Sequence, residues 1–171
     1  KQGTLTVPGG WGAGNWHTGA FDPETGIYYA VSHTMPSAFS LAPMTDNPEA
    51  TLAWAFPREN YVPTPRPHGL PITKPPYGRI TALDLNRGEL AWMAPNGDGP
   101  RHHPLLRDLD LPPLGIPNRP APLVTKTLLF MAEGTTNMVV QPEGGGGKML
   151  RAYDKATGDV VGEVELPGGA T

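Results

Sequence analysis

The residues able to do chemistry are few, and the most unusual sit together near the start. In "GAGNWHTGAFDPETGIYYAVS" (12–32), Asn15 and Trp16 place an amide and an indole beside glycines too small to pack around them. On residue type alone Trp16 is a packing residue and Asn15 a turn former. His17, next in line, is either a pocket side chain or an exposed loop histidine. The adjacent pair His102–His103 invites a metal reading, but neighbours on an extended chain point to opposite faces and make a poor bidentate site. A solvated loop is the expectation there. Arg119, just before a strand signal, is either a cation that meets an anionic cofactor or oxygenated substrate or an ordinary surface charge. Asp22, Asp84 and Asp154 resemble catalytic acids only superficially. Each opens a turn that closes on a glycine, so each is expected to accept hydrogen bonds from its own turn. Neither a Gly-x-Ser-x-Gly elbow nor a nucleophile beside a base occurs, so hydrolysis finds no support.

The elements that would position these residues are short and heavily punctuated. Of 171 residues, 22 are Gly and 22 Pro, while 38% are hydrophobic and 17% charged. That composition suits an all-β chain with many turns. Strand pairs are expected at Trp16–Phe21 with Ile27–Ser32, Arg79–Asp84 with Glu89–Ala94, Leu123–Thr125 with Leu128–Ala132, and Met149–Asp154 with Asp159–Leu166. In the last strand Val160, Val164 and Leu166 alternate with Glu163 and Glu165, which predicts one buried and one wet face. Thr4–Val7 is a further strand. Residues 33–77 carry ten prolines and cannot be a central strand or long helix. Residues 95–120 are a second long loop with one helical turn expected near Leu105–Leu109, and 141–148 a third, Gly-rich loop. A net charge of −3 gives no electrostatic footprint for nucleic acid. No apolar run reaches the ~18 residues of a membrane span. Cys is absent, which removes disulfides and thiolate metal sites. Starting at Lys1 and ending at Gly168-Gly169-Ala170-Thr171 without a terminal element, the chain is expected to be a fragment.

A repeat organises the pattern. "ALDLNRGELAW" (82–92) and "AYDKATGDVVG" (152–162) align without gaps as Ala-x-Asp-x-x-x-Gly, followed by Trp92 in the first and Gly162 in the second. Ala82 and Ala152 leave room for a neighbouring ring. Asp84 and Asp154 open a turn that Gly88 and Gly158 close with positive φ. Trp92 supplies a flat surface on which one hairpin can dock against the next. Such a unit suits a radial array of sheets.

At these residues the chain resembles the quinoprotein dehydrogenases that use pyrroloquinoline quinone (PQQ), in particular their membrane-associated glucose/quinate-type branch. "GNWHTGAFDPETGIYY", "KPPYGRITALDLNRGELAW", "PNGDGPRHHPLLRDLDLPPLGIPNRPAPLVTKTLLF" and "LRAYDKATG" carry the likeness along nearly the whole chain. The second docking unit departs from it at Gly162. The resemblance implies a partial β-propeller: about two four-stranded antiparallel blades of an eight-bladed ring, with long Pro-rich loops. Residues 1–171 would be a C-terminal part of one propeller domain, with blades near 14–95 and 119–167, Thr4–Val7 as a trailing outer strand, and the rest of the ring elsewhere. It implies that Asn15 and Trp16 face the axis and contact PQQ. An amide and an indole suit the rim of a flat polyanion, and Gly12 and Gly14 would let it approach. His17 and Arg119 stand beside them as candidate pocket residues. Ca²⁺ and a catalytic Asp base are implied for the whole enzyme, but no residue here matches them. The implied activity is oxidation of an alcohol, polyol or aldose sugar, with electrons passing to a respiratory quinone or cytochrome. The implied location is the periplasm, attached to the inner membrane through an upstream region. The other expectation is a non-catalytic propeller of the same build that serves as an assembly scaffold.

Overall fold

In the computed structural model, residues 3–10, 12–14, 18–45, 48–55, 64–134 and 147–170 are described. Two four-stranded antiparallel sheets dominate. The first runs β2 (Ala20–Asp22), β3 (Ile27–His33), β7 (Gly78–Asp84) and β8 (Glu89–Pro95), and the second β9 (Pro122–Val124), β10 (Leu128–Ala132), β11 (Met149–Asp154) and β12 (Val160–Glu165). Within each sheet every strand pairs with the next in the order given, as in a propeller blade. Strands β2 and β9 lie close to one another, so the two sheets share their inner edge.

Side-chain parity explains why the sheets pack face to face. Tyr29 and Val31 on β3 point the same way as Ile80 and Ala82 on β7, each at alternate positions. Leu129, Met131 and Tyr153 of the second sheet meet them, and these seven residues form the core. Full burial of each large side chain contributes about 1.5–3 kcal/mol. The register shifts once in each blade, at Ala82/Leu83 opposite β8 and at Ala152/Tyr153 opposite β12. These shifts are seventy residues apart, like the sequence repeat, and each twists an outer strand locally. In the first blade the shift leaves Trp92 opposite Ala82.

One expectation is corrected, and the loops gain detail. Every residue of β12 is exposed, so the alternation of Val and Glu does not produce a buried face. It is the outermost strand, and its register shift breaks the period of two. The expected strand near the start is present as β1 (Thr4–Thr6), and it pairs with β4 (Ser37–Phe39), inside the Pro-rich stretch. That stretch also holds β5 (Ala42–Pro43) and β6 (Trp54–Ala55), which form their own two-stranded ladder. The long loop after β8 folds into two short 3₁₀ turns, Gly99–His102 and Arg107–Leu109, the second inside the 105–109 stretch where a helical turn was expected.

Candidate functional site

The blades meet at two ends with different chemistry. At the first end lie the Asp-to-Gly turns. Asp84 Oδ1 accepts from the backbone N–H of Asn86 (2.9 Å) and Arg87 (3.2 Å). Asp154 Oδ1 accepts in the same way from Ala156 (2.8 Å) and Thr157 (3.2 Å). Asp22 accepts from the Glu24 N–H and the Thr25 hydroxyl. In all three turns the closing glycine has positive φ and donates its N–H to the Asp carbonyl. The three aspartates are structural, as their spacing suggested.

The docking tryptophan works across the blades. Trp92 Nε1 donates to the Lys155 carbonyl (3.0 Å), and the Tyr29 hydroxyl donates to the same oxygen (3.1 Å). The two rings lie 5.8 Å apart and tilted by 43°. Gly158 lies directly against the indole: a Cβ there would sit 2.6 Å from Trp92 Cε3. The Lys155 side chain completes the clasp. It pairs with Asp22 of the first blade at 2.5 Å and donates to the Thr125 carbonyl of its own blade. Hydrogen bonding from Lys155, then from Thr25, holds the Asp22 carboxyl below its ordinary range, although burial works against this. At Gly162, where the second blade lacks the Trp, a Cβ would find no described atom within 4 Å.

The opposite end, where β2 and β9 begin, gathers most of the buried polar groups: His33, Asn96, His103, Asn118, Glu133 and Arg151. Glu133 is 2% exposed and pairs with Arg151, while its other oxygen accepts from the N–H groups of Gly147 (2.7 Å) and Met149 (3.1 Å). Arg151 also reaches Glu163. The Ala13 carbonyl accepts from His33 N–H at 2.8 Å, which ties the 12–14 stretch to the end of β3. Asn15, Trp16 and His17 lie outside the described residues. Arg119 is partly buried and directly follows Asn118, whose amide donates toward the Gly134 carbonyl at 3.4 Å. His102 is exposed, with Nε2 3.8 Å from Asp98. His103 overturns the solvated-loop expectation: it is only 4% exposed, and its Nδ1 accepts from Leu105 N–H.

A flat, polyanionic quinone calls for a cation, amide groups and uncrowded backbone. At this end Arg119, Asn118 and the 12–14 stretch provide groups of those kinds. Among the described residues no group of three or more His, Cys, Asp or Glu side chains is arranged to hold an ion. Glu133, the most buried carboxylate at this end, is already neutralised by Arg151.

Sequence reading missed Asn96, Glu133, Arg151 and Tyr153. One signal was available: in "MLRAYD" Arg151 shares its parity with Tyr153, and a charged residue on a core-facing position requires a buried counter-ion.

Two neighbouring antiparallel sheets, locked by a tryptophan of one against a turn glycine of the next, define adjacent blades of a β-propeller. Across residues 1–171 the sequence matches the family model for the glucose/ethanol/alcohol dehydrogenase β-propeller domain, and the chain belongs to this family of PQQ-dependent dehydrogenases. The glycerol dehydrogenase large subunit of Gluconobacter thailandicus is 28% identical over 96% of this chain and 24% of its own length. The probable quinate dehydrogenase (quinone) of Xanthomonas campestris pv. juglandis is 33% identical over 60% of this chain and 12% of its own. The quinoprotein glucose dehydrogenase of Escherichia coli K12 is 27% identical over 99% and 22%. Among solved structures, the quinohemoprotein alcohol dehydrogenase of Pseudomonas putida HK5 superposes with a TM-score of 0.58 at 18% identity, covering 99% of this chain and 21% of that one. The chain therefore spans about a quarter of the length of the curated relatives that it matches end to end.

Proposed function

We propose that residues 1–171 are two adjacent blades from the C-terminal part of a PQQ-dependent dehydrogenase that oxidises an alcohol, polyol or aldose sugar. The observation that carries this reading is the family match along the whole chain, on a fold whose blades dock through Trp92. When bound, PQQ supplies a two-electron acceptor for the substrate's hydride. The role of this chain is to build part of the inner rim. Asn15 and Trp16, just before β2, supply an amide and an indole to the quinone's edge. Arg119, just before β9, supplies positive charge to its carboxylates or to substrate oxygens, and His17 lines the substrate side. The Ca²⁺ ligands and the Asp that takes the alcohol proton come from blades outside 1–171. Electrons leave for a respiratory quinone or a cytochrome, and the enzyme works in the periplasm, held at the inner membrane by an upstream region.

The test is reconstitution. The full-length apoenzyme, given PQQ and Ca²⁺, is expected to reduce an artificial dye with at least one alcohol, polyol or aldose, and Asn15→Ala and Trp16→Ala are expected to weaken PQQ uptake. The polypeptide 1–171 alone is expected to be inactive with the same additions. Full-length enzyme that neither binds PQQ nor turns over would overturn the proposal in favour of an assembly scaffold.

A further inference from the structure

Asn96 occupies the point where four segments converge, and it spends every hydrogen-bonding group that it directs at them. Its backbone N–H donates to the Gly78 carbonyl at 3.0 Å, and its own carbonyl accepts from Ile116 N–H at 2.7 Å. Its side-chain amide donates to the Ala132 carbonyl at 3.1 Å, while Oδ1 accepts from the Tyr153 hydroxyl at 3.0 Å. The residue is 1% exposed. Two of these partners belong to the first blade and its trailing loop, and two to the second blade. The contact is thus a polar counterpart, at the rim end, of the tryptophan lock at the turn end.

What the asparagine holds is a strap. Residues 114–116 run beside 96–98, with Leu114 N–H donating to the Asp98 carbonyl and Gly115 N–H to the Gly97 carbonyl, both at 2.9 Å. Tyr77 N–H donates to Leu114 from the other side at 2.8 Å. Asn118 N–H then donates to the Ile116 carbonyl, and the Asn118 side chain bonds Gly134, next to the segment that Asn96 grips at Ala132. Arg119 is the next residue. A path of hydrogen bonds therefore leads from Tyr153 through Asn96 and Ile116 to Asn118, the chain neighbour of Arg119.

We propose that Asn96, oriented by the Tyr153 hydroxyl, is a positioning residue that sets where the Asn118–Arg119 pair emerges at the inner rim, and so sets the affinity of that rim for the anionic quinone. This rests on the function proposed above. The site calls for such a device because Arg119 lies on a loop between blades, and charge recognition of a rigid planar anion weakens steeply when the donor is displaced. A buried amide with all its groups satisfied fixes one position, whereas an apolar side chain would permit several.

The experiment is PQQ binding by the full-length apoenzyme, followed by quenching of protein fluorescence, with a thermal melt of each variant. Tyr153→Phe removes one hydroxyl and keeps the ring. It is expected to raise the Kd for PQQ about tenfold, the effect of losing roughly 1.4 kcal/mol of binding. Trp92→Phe removes the indole donor at the opposite end. It is expected to lower Tm about as much as Tyr153→Phe does and leave the Kd unchanged, so a merely structural role for Tyr153 would make the two variants alike. In an Arg119→Ala background the effect of Tyr153→Phe on Kd is expected to vanish, because the residue through which it acts is gone. A Kd unaffected by Tyr153→Phe, or raised equally by Trp92→Phe, would overturn the positioning role and leave the proposed function standing. Wild-type enzyme that takes up no PQQ would overturn both.

Discussion

Removing Trp92 should uncouple the two blades, and the size of the effect can be worked out from its contacts. A packed Trp buries about 150–250 Å². Because Trp92 is only partly buried, Trp92→Ala gives up roughly 100 Å², or about 2.5 kcal/mol at ~25 cal/mol per Å². Losing its bond to the Lys155 carbonyl adds about 1 kcal/mol. Loss of the tilted pairing with Tyr29 adds about 0.5 kcal/mol. The sum is near 4 kcal/mol, whereas Trp92→Phe, which keeps most of the ring, should cost about 1 kcal/mol. The reciprocal change is Gly158→Ala, which forces a Cβ to 2.6 Å from the indole at a φ of +81°. Once Trp92 is gone, only the backbone strain of that alanine remains. The double variant should therefore be more stable than the sum of the singles by at least ~1 kcal/mol. Urea titrations of the 171-residue chain at low concentration, followed by far-UV circular dichroism, give all four corners of the cycle. A cost below about 1 kcal/mol for Trp92→Ala, or strict additivity with Gly158→Ala, would refute the docking account.

Three further outcomes are expected. Asp22 is held below its ordinary 3.8 in the folded state, chiefly by Lys155, so its contribution is complete above that value and is lost as pH falls through the lowered one; Asp22→Asn should flatten the acid limb of stability against pH, and an unchanged limb would remove the clasp. Glu133→Gln should cost about 3 kcal/mol in urea by leaving buried Arg151 with only the exposed-side Glu163, and most of that loss should be recovered with Arg151→Met. Phe130 and Leu150 stand in the second blade where Tyr29 and Ile80 stand in the first, yet with Leu123 (63% exposed) they border an open apolar depression. The 171-residue chain should accordingly self-associate in sedimentation velocity, less so as Leu123→Lys; a monomer at every concentration would contradict this.

What was legible in the sequence was local or repeated. Asp-x-x-x-Gly turns declare themselves because the side chain that caps the turn and the glycine that closes it lie four residues apart, and the seventy-residue repeat marks Trp92 as a docking residue. The strand β12 was misread because alternation signals a buried face only where something covers one side, and an outermost strand at a blade's rim has no such cover. His103 was misread as solvated because a 3₁₀ turn folds its ring inward, a consequence of proline placement over 99–104 that periodicity does not register. Asn96, Glu133, Arg151 and Tyr153 were invisible for another reason. Their partners lie 12 to 57 residues away, and nothing short-range marks an asparagine in a "PNGDG" turn as the junction of two blades.

The most direct test is a cryo-EM structure of the full-length enzyme with PQQ bound. The expected map shows the quinone at the shared inner edge where β2 and β9 begin, with Asn15 and Trp16 at its rim and the Arg119 guanidinium facing a carboxylate or a substrate oxygen. A quinone bound elsewhere in the ring, or Asn15 and Trp16 on the outer rim with Arg119 turned to solvent, would contradict the account.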